Sequence, residues 1–215
     1  MFALGNAVQY LLIANLIGYL IEIIVPSVQC GLGSIMPSII CPLTSELHFA
    51  LIPEEVVKQG AVWQLISYMF LHAPFPNFTH ILFNMLALWM FGTSLEQVWG
   101  FRRFVTYYFV TGIGAGIITV LVALVSGPVA MLTPNIGASG AIYGVLLAFA
   151  MLFPNQPIFV FFLPMPAKYA VFLMGAISFL SGVTGFNPGV GHFAHLGGIL
   201  VGYLFIKWQG WGSRY

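Results

Sequence analysis

Six apolar runs dominate this chain, at about residues 8–25, 77–98, 104–125, 139–153, 167–181 and 192–208. A helix that crosses the ~30 Å hydrocarbon core of a bilayer needs roughly 17–25 such residues. The runs therefore predict an all-α membrane protein, a bundle of six transmembrane helices. Composition agrees: 60% of the 215 residues are hydrophobic and 5% charged, against about 25% charged in a soluble domain. Residues 26–76 form a long first loop holding Glu46, Glu54, Glu55 and Lys58. Within it, Val62 to Phe70 is aromatic and amphipathic, suited to the headgroup level. Pro154, Pro157, Pro164 and Pro166 break the chain between the fourth and fifth runs. No charge run, repeat or low-complexity tract divides the chain, so residues 1–215 read as one domain.

Several function classes drop out. A formal net charge of +1 gives no footing for nucleic acid. Two cysteines and five scattered histidines make no zinc spacing, and no metal or cofactor is expected. The N-terminus lacks a basic stretch and a small-residue cleavage site, so the first run reads as a retained span rather than a signal peptide. The minimal chain, without a targeting extension, points to a bacterial plasma (inner) membrane.

Basic residues set the orientation. With the N-terminus inside, Arg102, Arg103, Lys168, Lys207 and Arg214 fall on the cytoplasmic side, and only Lys58 falls outside, in the long first loop. N-in and C-in is the expected topology, with the 126–136 and 182–191 loops also facing outward.

The fourth run is short. From Ser139 to Pro154 it rises about 22 Å, which places Ser139 roughly 8 Å below the outer surface. His195 lies 12 residues above Lys207 in the sixth run, about 18 Å from the inner surface. Asn84, 15 residues above Trp99, comes to about 22 Å. Three polar side chains from three helices thus reach similar depth, where polar groups are costly and by default functional. The loop before Ser139 must dip below the surface to meet it, which non-helical backbone tolerates only when buried in protein or lining water.

Serine needs a base to become a nucleophile, and His195 is the candidate. The chain has no aspartate; its acids are Glu22, Glu46, Glu54, Glu55 and Glu96. A Ser-His-Asp triad is excluded, leaving a Ser139–His195 dyad or one that recruits a glutamate. The start of the fourth helix offers unpaired N–H groups, Ser139's included, to an oxyanion. His80 and Asn84 are spaced i, i+4 and share a helix face, as do Ser139 and Tyr143. Gly140 with Gly144, and Gly198 with Gly202, are small-xxx-small pairs that let helices approach closely.

Gly137-Ala138-Ser139-Gly140 with Tyr143-Gly144, His80-x-x-x-Asn84 upstream, and Ala194-His195-x-x-Gly198 in the last span together resemble the rhomboid family of intramembrane serine proteases. The resemblance runs over most of residues 60–205 and is to the six-span form. It implies that Tyr143 stacks on His195, that His80 and Asn84 supply oxyanion donors, and that Glu96 ties the inner loop together, with Arg102 or Arg103 as its partner. Asn84, at the depth of Ser139, is the stronger donor candidate, His80 lying one turn higher. The resemblance further implies membrane-protein substrates cut within a transmembrane segment, near its outer end, where a helix that unwinds readily carries a small residue before the scissile bond.

Blander readings exist for each feature. Gly137 to Gly144 also reads as a packing motif with Ser139 as N-cap, but this leaves the matching depth of His195 and Asn84 without cause. His80 also reads as an interfacial histidine, and Tyr143 as ordinary aromatic packing. His48, His72 and His192 are given loop or interface roles. Glu22, near the outer end of the first span, is assigned headgroup water or a polar partner. Two other functions compete: a non-catalytic rhomboid-like factor that binds membrane proteins, which normally lacks the serine or histidine, and a small transporter using Glu22, for which the paired broken helices of such folds are missing. Cys30 and Cys41 share the outward loop. They are either two free thiols or a disulfide closing about 12 residues and worth ~2–3 kcal/mol.

Overall fold

A computed structural model describes residues 6–24, 49–73, 77–160, 163–185 and 191–211. The chain runs through α1 (Asn6–Ile24), then α2 (Pro53–Gln59) and α3 (Gln64–Ser67) of the first loop. After α3 comes a 3-10 turn, Tyr68–Phe70. There follow α4 (Thr79–Trp99), α5 (Phe101–Ser126), α6 (Pro128–Leu132) and α7 (Ser139–Leu152). A hairpin of β1 (Pro157–Val160) and β2 (Leu163–Pro166) leads to α8 (Ala167–Thr184) and α9 (His192–Gln209). Six long helices thus occupy the six apolar runs. By length and composition α1, α4, α5 and α8 are able to cross a membrane, and α7 is a shorter apolar helix. Their outer faces carry exposed apolar side chains such as Ile17, Leu20, Phe83, Leu121 and Phe172, which a bilayer would cover.

The bundle is built around α7. Nine of its fourteen residues are buried, so its shortness is set against protein neighbours rather than against lipid. Small residues bring those neighbours in. A Cβ on Gly198 would collide with the Gly140 carbonyl oxygen, and one on Gly140 would come within 2.7 Å of Ala115 Cβ. α9 and α5 therefore lie directly on α7. The glycine pairs divide their work: Gly144 faces Thr111 and Gly202 faces the Tyr107 hydroxyl, both on α5. Tyr107 in turn donates to the Gly144 carbonyl at 2.7 Å.

α4 contains a wide π turn over Leu88–Gly92, and such turns insert a residue into the helical register. Gly92 sits there against Phe104 and Val8, where α4 crosses α5 and α1. Gly100, at φ 76°, ends α4 and opens α5 without a loop.

The helical bundle stands as expected, and it also carries the short hairpin, in which Pro157 pairs with Pro166 and Phe159 with Pro164. A two-stranded ribbon has only edges, where proline is tolerated. Glu96 is not paired with Arg102 or Arg103. Its carboxylate accepts the N–H groups of Ala7 and Val8 at 2.9 and 3.0 Å, capping the first turn of α1, whose leading N–H groups have no intrahelical acceptor. Among the described residues Arg102 makes no ion pair, and Arg103 lies 5.5 Å over the Trp211 ring. Cys30 and Cys41 lie outside the described residues.

Candidate active site

The segment before α7 is tied to the first loop at two points. Asn135 and Leu51 exchange both N–H···O bonds at 2.9 Å, and the Gly137 N–H donates to the Tyr68 carbonyl at 2.9 Å. The Tyr68 hydroxyl donates to Gly112 at 2.7 Å, fixing the first loop to α5. Burial pushes that phenol upward from its ordinary pKa. Gly137 adopts φ 116°, a conformation that side-chain-bearing residues rarely reach. The chain then turns into α7, whose first bond is Ile142 N–H to Ala138 O at 3.0 Å. The N–H groups of Ser139, Gly140 and Ala141 precede that bond and stand at the positive end of the helix.

α9 delivers His195 to this point. Its Nε2 lies 2.9 Å from Ser139 Oγ, across 56 residues of sequence. The Tyr143 ring lies parallel to the imidazole, with centroids 4.1 Å apart and planes within 5°. On the other edge, Ser178 Oγ of α8 stands 3.5 Å from Nδ1. His192 is perpendicular to His195 at 6.4 Å. His195 is nearly enclosed, at 8% exposure, and Ser178 is buried. A serine hydroxyl in contact with an imidazole, beside unpaired helix N–H groups, can attack a carbonyl and stabilise the resulting oxyanion.

His80 closes the opposite side. A Cβ on Gly137 would come within 2.8 Å of His80 Nε2 and 3.8 Å of Ser139 Oγ, so the missing side chain lets the His80 ring pack directly on the Gly137 backbone, next to Ser139. The His80 Nδ1 accepts the Ala73 N–H at 3.1 Å. Asn84 is buried and donates through Nδ2 to the His80 carbonyl at 2.7 Å. Of the two, His80 is the one whose ring meets the Gly137 segment, the reverse of the depth count. Helix rise alone omits the reach of an imidazole.

Ser178, His72 and Tyr68 were not legible as site residues. Ser178 is one hydroxyl in an apolar helix with no motif around it. His72 is fully buried, with its ring 5.2 Å from that of His80. Burial, with His80 beside it, drives its imidazole down to about 3, so it stays neutral. Among the described residues no cluster of three His, Cys, Asp or Glu could hold a metal ion.

The chain matches the Rhomboid domain over residues 59–210. It is 34% identical over 130 residues to Rhomboid protein 1, mitochondrial, of Saccharomyces cerevisiae, covering 60% of this chain and 37% of that one. It is 31% identical over 150 residues to the Putative rhomboid protease YdcA of Bacillus subtilis, covering 69% and 67%. With the Rhomboid protease AarA of Providencia stuartii it shares 30% identity over 162 residues, covering 67% and 55%. The chain spans less than half the length of the yeast relative and of RHOMBOID-like protein 5 of Arabidopsis thaliana.

Proposed function

Because this multi-pass membrane chain belongs to the rhomboid family, we propose that it is an intramembrane serine endopeptidase working through a Ser139–His195 dyad. The observation that carries the reading is the 2.9 Å contact between Oγ and Nε2, made by residues on two helices that glycine packing holds together. Relatives named as proteases, YdcA and AarA, support the class of reaction.

In this mechanism Nε2 takes the Ser139 proton as Oγ bonds to the carbonyl carbon of the scissile peptide. For Nε2 to accept, Nδ1 must carry the ring's proton, and Ser178 Oγ is the nearby acceptor. Negative charge forms on the former carbonyl oxygen. The Ser139 N–H, His80 Nε2–H and the Asn84 amide are the donors we assign to it. The intermediate collapses as the C–N bond breaks and His195 protonates the leaving amine. Water then hydrolyses the acyl-enzyme with His195 again as base, and Ser139 is regenerated. No acidic third member is needed: the Glu22 carboxylate meets the His72 N–H and that of Glu96 the start of α1, so neither serves the imidazole.

The six long helices are six spans in this reading, N-in and C-in, forming one domain. Substrates are transmembrane segments of other proteins. A peptide bond inside a helix is shielded by its own hydrogen bonds, so cleavage selects segments that unwind near the outer surface. The membrane we assign is a bacterial inner membrane, supported by the Bacillus and Providencia relatives; fractionation to a mitochondrial membrane, the address in the yeast relative's name, would replace it.

The test is covalent. A fluorophosphonate should label Ser139 in the folded protein, and Ser139→Ala and His195→Ala should each abolish both labelling and cleavage of a transmembrane substrate. Because the pair acts as a unit, the double variant should be little worse than either single one. A folded Ser139→Ala protein that still cut its substrate would overturn the dyad.

A further inference from the structure

Glu22 lies outside the region that matches the Rhomboid domain, and the dyad does not use it. It is nonetheless fully buried, and a buried carboxylate persists only when its interactions offset the loss of water. Its Oε2 accepts the N–H of His72 at 2.9 Å. The contact is to backbone, and it fixes the chain at the residue before Ala73. The Ala73 N–H is directed at His80 Nδ1, 3.1 Å away.

That second bond has a chemical consequence. A backbone N–H can only donate, so Nδ1 must present its lone pair, and the neutral ring must carry its proton on Nε2. Nε2 is the nitrogen on the ring edge that packs against Gly137, next to Ser139. With the proton on the other nitrogen, the same ring would offer a lone pair to a developing oxyanion and repel it. The His72 ring packs 5.2 Å from that of His80, and the Ala73 N–H is the hydrogen-bond partner of His80 Nδ1.

We propose that Glu22 of α1 is a positioning residue that, by gripping the His72 amide, holds the Ala73 N–H on His80 Nδ1 and so keeps His80 in the Nε2–H form that donates to the oxyanion. The proposal rests on the oxyanion role given to His80 above. It makes α1, which contributes no group to the reaction, a determinant of its rate.

The test uses the full chain in detergent and two readouts. The first is the rate at which a fluorophosphonate reacts with Ser139, a step in which Oγ bonds to phosphorus, fluoride leaves and the phosphoryl oxygen takes the oxyanion position. An oxyanion donor is worth roughly 10²- to 10³-fold, and disordering one should cost part of that. Glu22→Leu should slow labelling by about tenfold. Glu22→Gln, which keeps an acceptor oxygen, should recover most of the loss. In a His80→Ala background Glu22→Leu should have no further effect. An equal loss in both backgrounds would mean that Glu22 acts on the fold alone and would overturn the proposal.

The second readout is ¹⁵N NMR of the histidine side chains, with His80 assigned by its disappearance in His80→Gln. Wild-type His80 should be protonated at Nε2 and not at Nδ1, and Glu22→Leu should give a mixture of the two forms. A wild-type ring protonated at Nδ1 refutes the proposal even if Glu22→Leu fails to fold. Absence of Ser139 labelling in the wild type, with the His80 tautomer as stated and dependent on Glu22, would remove the protease reading while leaving the linkage from Glu22 to His80 standing.

Discussion

The imidazole of His195 is held across its face by Tyr143 at 4.1 Å and along its Nδ1 edge by Ser178 at 3.5 Å. The two supports differ in kind, and substitutions separate them. An aromatic pair is worth ~0.5–1.5 kcal/mol beyond its buried area, so Tyr143→Ala should lower kcat by roughly two- to tenfold with KM little changed. Tyr143→Phe keeps the ring and should retain most of the activity; an equal loss in both variants would show that the hydroxyl, not the stack, matters. Asn84→Ala should slow cleavage by about 10²- to 10³-fold if its amide is an oxyanion donor. A loss under tenfold would confine Asn84 to its bond with the His80 carbonyl. At this scale the sequence is informative where a residue type is costly in its setting. Ser139, His195 and Asn84 are polar residues in apolar runs, and counting helix rise along the expected spans brings them to similar depth. Ser178 could not be found that way, because one serine in an apolar helix has no spacing partner. The partner of Glu96 is hidden for a physical reason: nearby opposite charges invite pairing, while the N–H groups of Ala7 and Val8, some 88 residues away, carry no mark in the sequence.

Helices were readable as apolar runs, their ends to within about three residues. The π turn in α4 and the hairpin between α7 and α8 were not. A π turn leaves hydrophobicity unchanged, and prolines that break helices are equally at home in a two-stranded ribbon. The tightest glycine contact among the described residues, Gly198 on the Gly140 carbonyl, can be tested as an element. Gly198→Val would force α9 away from α7. Overpacking of this kind costs ~1–3 kcal/mol or more, so the thermal midpoint should fall, and cleavage should fall further because Nε2 is carried away from Oγ. Gly175, whose Cβ position is 3.4 Å from one Ile199 methyl, serves as the control: Gly175→Ala should leave both nearly unchanged. If Gly198→Val were as harmless as Gly175→Ala, glycine contact would not be what sets the distance between serine and histidine.

The orientation expected for the whole molecule rests on its few cations. Single cysteines in a chain lacking Cys30 and Cys41, placed at Lys58 and at Arg103, should react with an impermeant maleimide in intact cells only at Lys58. Labelling at Arg103 alone would invert the topology and put the serine near the cytoplasmic face. The capping of α1 by Glu96 bears on how such a molecule is made. α1 is synthesised first, yet the carboxylate that satisfies its leading amides is 88 and 89 residues downstream, and the amide that meets Glu22 is 50 residues downstream. While the ribosome is still reading the first loop, the leading N–H groups of α1 await the carboxylate that caps them in the finished fold. α1 is therefore expected to gain its cap only after α4 has been made, and its first turn depends on water until then.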